Sequence, residues 1–381
     1  MKKGCILTVA FLAIVFSLSI TSLLLPDKDF SEEENRYLQQ LPDMNVKAVT
    51  AGKYTAAFEK YTEDQFPLRT SWIGMKTATQ KMVLKKDNGR VYFGKEGQLF
   101  SAQPIAEKDY MQPVDSILAF VDRIQQHSPD LHSAMMLVPT ASEVLKQQLP
   151  LFAPVPNQSE IIQSVQNTVE KHNMIYVNPL PLLTQYAKRE QVYYRTDHHW
   201  TTQGAYLGYL AWADTMNQKP LNQQNFTIET VSRNFFGTLY SKSILPFTKP
   251  DTIHRYLPKT PVQYMVQKEY DKTISTELYD KSFLEKKDQY AYFLGGNHPQ
   301  LTISTSVKND KQLLLFKDSY ANAMIPFLAN HYEKLIVVDL RYFKGNLDAL
   351  WEQNDITDMM FLYNVETFCE ESSFQKLQTH G

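Results

Sequence analysis

Residues 311–340 read KQLLLFKDSYANAMIPFLANHYEKLIVVDL, and residues 358–364 read DMMFLYN. Three runs within them, KQLLLFK (311–317), KLIVVDL (334–340) and DMMFLY (358–363), are apolar along their length and do not alternate with polar residues. That is the pattern of strands covered on both faces, as in a parallel sheet. Between them, Ala321–Tyr332 reads as a helix with a kink at Pro326, and Asn346–Gln353 as a second helix. Strand, helix, strand, helix, strand predicts a three-layer α/β core with a mostly parallel sheet.

Working outward from this block, His132–Val138 (HSAMMLV) reads as a short buried strand, Met174–Val177 as another, and Gln191–Tyr194 as a third. Val114–Gln126, Glu160–His172 and Thr202–Met216 read as helices. Residues 230–305 differ: FGTLYSKS, TIHRYL, VQYMVQ, AYFLGGNHP and LTISTS are short β-like runs without helices between them, which predicts a β-rich insertion. Ahead of the core, Tyr54–Lys85 carries two helical patterns broken at Phe66-Pro67, and RVYFGKEGQLF (90–100) reads as a hairpin. Three regions are therefore expected: 1–26, 27–100 (a polar stalk, then the helices and hairpin), and 101–381 with its insertion at 230–305.

Lys2 and Lys3 precede an uncharged run from Gly4 to Pro26 that reaches the roughly 20 residues needed to cross a bilayer. The run ends Leu23-Leu24-Leu25-Pro26, a poor cleavage site, and Cys5 precedes the apolar stretch, so it is no lipoprotein cysteine. The expectation is an uncleaved signal anchor, positive end inside, with Asp27 onward outside the cytoplasm. A cleaved signal peptide would give the same compartment. The net charge of -2, from 39 basic and 41 acidic residues, excludes the basic footprint of a nucleic-acid binder. Hydrophobic residues at 43% exclude disorder, and two cysteines, Cys5 and Cys369, cannot build a disulfide framework or a four-ligand zinc site.

Reactive groups of open parallel sheets gather where strands end. Asp318-Ser319-Tyr320 follow the first strand of the block, Asp339-Leu340-Arg341-Tyr342 the second, Asn364 the third, and Arg195-Thr196-Asp197-His198-His199-Trp200 the run QVYY. A hydroxyl, a carboxylate with imidazoles and an amide on one edge are the components of nucleophilic acyl transfer. Each also has a plain reading: Ser319 as an N-cap, Asn364 as a turn residue, Asp339 with Arg341 as a surface ion pair. Asp197-His198-His199 could instead ligate Zn or Mn.

The stretches RTDHHWTTQGAY, YFLGGNHP and KDSYANAMIPFL, in that order, resemble the DHHW family of Gram-positive bacteria, itself similar to the SGNH-hydrolase-like alginate O-acetylation proteins. ENRYLQQLP, FEKYTEDQFPLR and VYFGKEGQLF add to the resemblance, which spans nearly the whole chain after the apolar run. It implies an SGNH-like fold with permuted motif order, Ser319 as nucleophile, and His199 and Asp197 as the D-x-H pair. Lys317 stands where the first SGNH block has Gly. Asn364 stands where the third block donates to an oxyanion, and DLRY (339–342) replaces the second block, leaving Arg341 or Tyr342 as substitutes.

With those roles, Asp197 would hold the His199 ring so that Nε2 accepts the Ser319 proton, since i and i+2 share one side of an extended segment. His198 would point away, as a structural residue or a substrate contact beside Tyr320 and Tyr342. The resemblance implies O-acetylation of a cell-surface or secreted polysaccharide, without a cofactor. The acetyl group would come from a membrane-bound O-acyltransferase partner, because no acetyl-CoA is available outside the cell. A non-catalytic glycan-binding protein and a metal-dependent hydrolase at Asp197-His198-His199 are the alternatives. Gly295-Gly296-Asn297-His298 is expected to wall the cleft or to form an exposed turn.

Overall fold

The computed structural model describes residues 2–102 and 110–378, with side chains from Gly4 onward. Residues 103–109 and 379–381 of the expected third region lie outside the described residues. The chain divides into two compact units, Met1–Asn88 with Tyr240–Thr248, and Gly89–Leu239 with Lys249–Gly381.

The second unit is built on an eight-stranded sheet. In chain order its strands are β1 (His132–Val138), β2 (Ile175–Tyr176), β3 (Tyr264–Lys268), β4 (Thr273–Ser275), β5 (Gln300–Thr305), β6 (Gln312–Lys317), β7 (Lys334–Val338) and β8 (Asp358–Asn364). The spatial order is β4-β3-β5-β7-β6-β8-β1-β2. The strands from β7 to β2 are parallel, with Phe316 opposite Val338 and Phe361, and Asn364 opposite Val138. Their carboxyl ends therefore share one edge.

Successive side chains of these strands feed opposite faces. Leu313, Leu315, Met360 and Leu362 join a core with the helix Thr202–Thr215, through Tyr209 and Trp212. Leu314, Phe316, Met359 and Phe361 join a second core with the helices Met111–Gln125 and Gln158–Lys171, through Phe120 and Val165. Helices on both sides explain why β6 and β8 are uniformly apolar: neither face meets water.

The sheet is mostly parallel, as expected, with an antiparallel flank in which β5 joins β7 and β3 and β4 continue outward. Those three strands come from the β-rich run, whose earlier part forms the separate hairpin Phe226–Phe235 with Asp251–Pro258. FGTLYSKS is no strand; Thr238–Ser243 is helical. AYFLGGNHP (291–299) starts in the second half of the 3-10 turn Gln289–Tyr292 and continues to two glycines at φ 73° and 91°, a conformation that Gly adopts without strain. Ala321–Tyr332 is not one helix but a 3-10 turn, Ser319–Ala323, followed by the short helix Ile325–Leu328 with Pro326 in its first turn. Gln191–Tyr194 forms no strand and contributes only the bridge Tyr193–Trp200.

In the first unit, the helix Gly4–Leu24 is long and apolar enough to cross a membrane, at a mean hydropathy of 2.4. The helices Lys53–Asp64 and Arg69–Met82 follow, separated at Phe66-Pro67. Buried Asp64 takes Arg36 bidentately at 2.7 and 2.8 Å and the backbone N–H of Gln39 at 2.9 Å. Those contacts hold its carboxyl well below the usual range against the opposing effect of burial.

Candidate active site

Where β6 ends, Asp318 turns the chain. Its Oδ1 accepts the N–H of Tyr320 at 2.8 Å, and its Oδ2 accepts the backbone N–H and side-chain amide of Asn364 at 2.8 and 2.7 Å. Two strand ends are thereby fastened to one carboxylate, and burial pushes that carboxyl upward. Ser319 opens the 3-10 turn with its Oγ 2.8 Å from His199 Nε2, and its N–H meets no acceptor among the described residues.

His199 comes from a tight loop, not an extended segment. The loop is closed by Tyr194 N–H donating to His199 O at 3.2 Å and Thr201 N–H to Val192 O at 2.9 Å. Buried Asp251 fastens it from below, accepting from Arg195 N, Thr196 N and Thr196 Oγ1 at 3.0, 2.8 and 2.7 Å. Two cross-links sew it to the serine turn: Trp200 Nε1 donates to Tyr320 O at 2.9 Å, and the Tyr320 hydroxyl donates to His198 O.

Asp197 Oδ1 lies 2.5 Å from His199 Nδ1, and Oδ2 accepts the N–H and hydroxyl of Thr238 at 2.8 and 3.1 Å. Burial would push this carboxyl up, but the two neighbouring imidazoles and these hydrogen bonds outweigh it and hold the group well below the usual carboxylate range. With Nδ1 donating to ionised Asp197, Nε2 is left to accept the Ser319 proton. The ring of Tyr290 stacks on His199, centroids 3.7 Å apart and 9° between planes, while its hydroxyl donates to Ser319 O at 3.2 Å. Imidazole plane and serine turn are thus held by one side chain.

Asp197, His199 and Ser319 form one hydrogen-bonded line; the other sequence candidates do not join it. Asn364 spends its amide on Asp318 and on Thr367 Oγ1 at 2.7 Å, while its Oδ1 caps the helix Val365–Glu370. Its donors are committed, so it is a holder of the serine turn and offers nothing to an oxyanion. The Arg341 guanidinium pairs with Asp339 at 2.8 and 2.7 Å. Tyr320 is buried and serves as a cross-link, not a substrate contact. Tyr342 is exposed beside Arg341, 5.4 Å from ring centroid to guanidinium. His198 does not point away from His199: their ring centroids are 3.8 Å apart, and His198 Nδ1 lies 2.7 Å from Thr238 Oγ1. The bent loop cancels the alternation that an extended segment would impose.

Gly237, Thr238, Asp251, Asp288 and Tyr290 carried no signal in the sequence. Asp288 is close enough to feel both Asp197 and His199, and burial followed by the Asp197 charge pushes its carboxyl up. Gly237 leaves room that Asp197 needs, since a Cβ there would stand 2.2 Å from Asp197 Cβ. Lys317 is fully buried, donates to Asn297 Oδ1 and Asn322 Oδ1 at 2.8 and 2.9 Å, and lies 3.6 Å from Asp339. It ties the Gly295–His298 turn to the serine turn. Burial lowers its amine to about 8, against the opposing pull of Asp339.

Ligand atoms of Asp197, His198 and His199 lie within 4.8 Å of one another, so this triplet could also hold a metal ion. A metal on His199 would have to displace either Asp197 from Nδ1 or Ser319 from Nε2.

The family profile described as "DHHW protein" matches residues 133–338, more than half of the chain, and the chain belongs to that family. It is 24% identical over 215 residues to the "Probable alginate O-acetylase AlgJ" of Pseudomonas putida, covering 55% of this chain and 54% of that protein. The chain thus spans about half the length of this curated relative. Its fold is similar to that of a DHHW family protein from Eubacterium siraeum, with a TM-score of 0.63 at 23% identity over 76% of this chain and 98% of the other. It is also similar to Bacillus cereus PatB1, with a TM-score of 0.59 at 21% identity over 73% and 97%. These similarities show a fold shared with the DHHW family protein and with PatB1.

Proposed function

We propose that this chain is an extracytoplasmic O-acyltransferase acting through a serine acyl-enzyme, with Ser319 as nucleophile, His199 as general base and Asp197 as the group that orients His199 and stabilises its imidazolium. The observation that carries this reading is the line Asp197 Oδ1–His199 Nδ1 at 2.5 Å and His199 Nε2–Ser319 Oγ at 2.8 Å. Ser319 Oγ attacks an acyl carbonyl as its proton passes to Nε2. The Ser319 N–H, at the start of its turn, offers one donor to the oxyanion. Collapse expels the donor's leaving group, which takes the proton from Nε2. A sugar hydroxyl then gives its proton to Nε2 and attacks the acyl-serine, regenerating the Ser319 hydroxyl as the ester leaves.

The acceptor we propose is a cell-surface or secreted polysaccharide, a reading supported by sequence similarity to a probable alginate O-acetylase. The N-terminal helix would anchor the chain, and a membrane-bound O-acyltransferase would supply the acyl group outside the cytoplasm. Intact mass of the full chain after exposure to a small acetyl ester tests the mechanism. The expected result is a single acetyl adduct on Ser319, absent in Ser319→Ala. Ester turnover without any adduct, abolished by a chelator and restored by Zn or Mn, would sink it in favour of a metal site at Asp197-His198-His199.

A further inference from the structure

The helix Arg69–Met82 turns three large apolar side chains toward solvent. Trp72, Met75 and Met82 are 42%, 52% and 81% exposed and lie within a sector of about 80° at 3.6 residues per turn. Leu68 just before the helix and Val83 and Leu84 just after it extend the exposed run. The opposite side is the packed one. Thr77 Oγ1 donates to Ser243 O at 2.8 Å, and a Cβ on Gly74 would stand 3.3 Å from Ile244 O. A helix that covers a core does the reverse. Single exposed apolar residues are ordinary, but a continuous stripe of them marks a surface that meets something.

The neighbours of the stripe identify what it meets. Asp27 and Lys28, directly after the apolar N-terminal helix and Pro26, are tied to the corner where Arg69–Met82 begins. Tyr61 OH donates to Asp27 at 3.1 Å, Lys28 N–H to Gln65 Oε1 at 3.0 Å, and Gln65 Nε2 to Lys28 O at 3.0 Å. Leu25, Pro26, Phe66 and Leu68 line one groove there. Phe66 and Trp72 pack edge to face with centroids 6.5 Å apart, both partly exposed. The stripe therefore starts three residues after Gln65, which binds Lys28, and shares a groove with Leu25 and Pro26 at the end of the apolar helix. Lys76 is exposed beside the stripe, and Lys85 is exposed just after the helix. Tryptophan and other apolar side chains flanked by lysines suit the headgroup region of a bilayer with anionic lipids.

We infer that the helix Arg69–Met82 lies in the extracytoplasmic membrane interface, with Leu68, Trp72, Met75 and Met82 against lipid. This rests on the anchored reading of the N-terminal helix and gives the first unit a second attachment to the same bilayer. The full chain in phosphatidylcholine–phosphatidylglycerol vesicles, with and without bromine on the acyl chains, tests it by tryptophan fluorescence. Subtracting Trp72→Phe from wild type removes the signal of the buried Trp200 and Trp212 and of Trp351, and isolates Trp72. The expected result is at least twofold quenching of Trp72 by brominated chains, protection from iodide, and loss of both in Met75→Gln/Met82→Gln. A Trp72 that iodide quenches freely and bromine does not, in a chain that resists alkaline carbonate, overturns the inference while leaving the anchor intact. Shielding from iodide without bromine quenching also overturns it, by assigning the stripe to a protein surface. Release by carbonate overturns the anchored reading and this inference with it.

Discussion

Gly237→Ala is the most direct probe of the proposed mechanism, because it alters no polar group. The added Cβ would stand 2.2, 2.3 and 2.6 Å from Asp197 Cβ, Oδ2 and Cγ, where ordinary contacts begin at 3.4 Å. Relief requires a movement of about 1 Å at the carboxylate. On its far side Asp197 already faces His199 Nδ1 at 2.5 Å, so it cannot retreat along that line without pushing the ring off Ser319 Oγ at 2.8 Å. If it rotates instead, it loses Nδ1 and the two Thr238 donors. Misplacement by about 1 Å costs on the order of 10²-fold, and complete loss of tautomer control about 10⁴-fold. The expected fall in kcat for acetyl-ester hydrolysis is therefore about 10²–10⁴, or roughly 3–5 kcal/mol, with KM little changed. Overpacking should also cost about 1–3 kcal/mol of stability, read from urea unfolding. Gly94→Ala controls for this second effect: its Cβ would stand 2.5 Å from Phe100 Cε2 and 2.7 Å from Gln98 O, touching neither Asp197 nor His199. It should lose stability while its folded fraction keeps its turnover. A folded Gly237→Ala within about threefold of wild-type kcat would refute the idea that catalysis depends on the Asp197–His199 contact.

Four further outcomes are expected. Ser319→Ala and His199→Ala should each lower ester turnover by about 10⁴ or more, with the double variant little worse, while His198→Ala stays within roughly tenfold; equal damage from the two histidines would speak against the serine mechanism. Asn364→Ala should cost about 1–3 kcal/mol in urea unfolding, through unsatisfied Asp318 and a lost helix cap, and change the kcat of the folded fraction by less than about tenfold; a loss of 10²–10³ would restore it as an oxyanion donor. Lys317, lowered by burial to about 8, gives up its proton in the folded state before it does in the unfolded chain, at about 10.4. The unfolded state then binds more protons between those values, so wild-type stability should gain on Lys317→Met as pH rises from about 8 to 10, by at most about 1.4 kcal/mol per pH unit; a constant difference between the two urea curves would contradict this. Asp64→Asn should destabilise the first unit by about 3 kcal/mol at pH 7, as an ion pair on a buried carboxylate is broken. Because the folded carboxyl is depressed, that stabilisation is present above the unfolded value of about 3.9 and lost as pH falls below it, so the gap between variant and wild type in thermal melts should narrow only below about pH 4.

Position along the chain and chemistry were legible at different depths. Runs such as LLLF (313–316) and MMFL (359–362) announce strands because apolar residues on both pleat faces need two covering layers. The same reasoning could not say how LTIST (301–305) pairs, since such a run looks alike whether parallel or antiparallel. It missed the break at Ala323 as well: helical spacing runs on through residues that tertiary packing divides into two short turns. The proline was visible, but its place in the first turn of a new helix was not.

Local sequence determined which groups are available: a serine behind an apolar strand, a DHH triplet ahead of a helix, an asparagine at the end of another strand, and an apolar run of bilayer length. Tertiary structure decided where each one points. Asn364 and Ser319 end neighbouring strands, yet one amide is turned inward by Asp318 while the hydroxyl meets His199. His198 and His199 are adjacent and chemically identical, but the bend closed by Tyr193 and Trp200, with Tyr290 stacked above, puts only His199 between a carboxylate and a hydroxyl. The physical reason is range. Strand and helix patterns arise from residues two to four apart, whereas a side chain's direction and charge are set by partners such as Thr238, Asp251 and Tyr290, which are 41, 55 and 29 residues from the groups they hold.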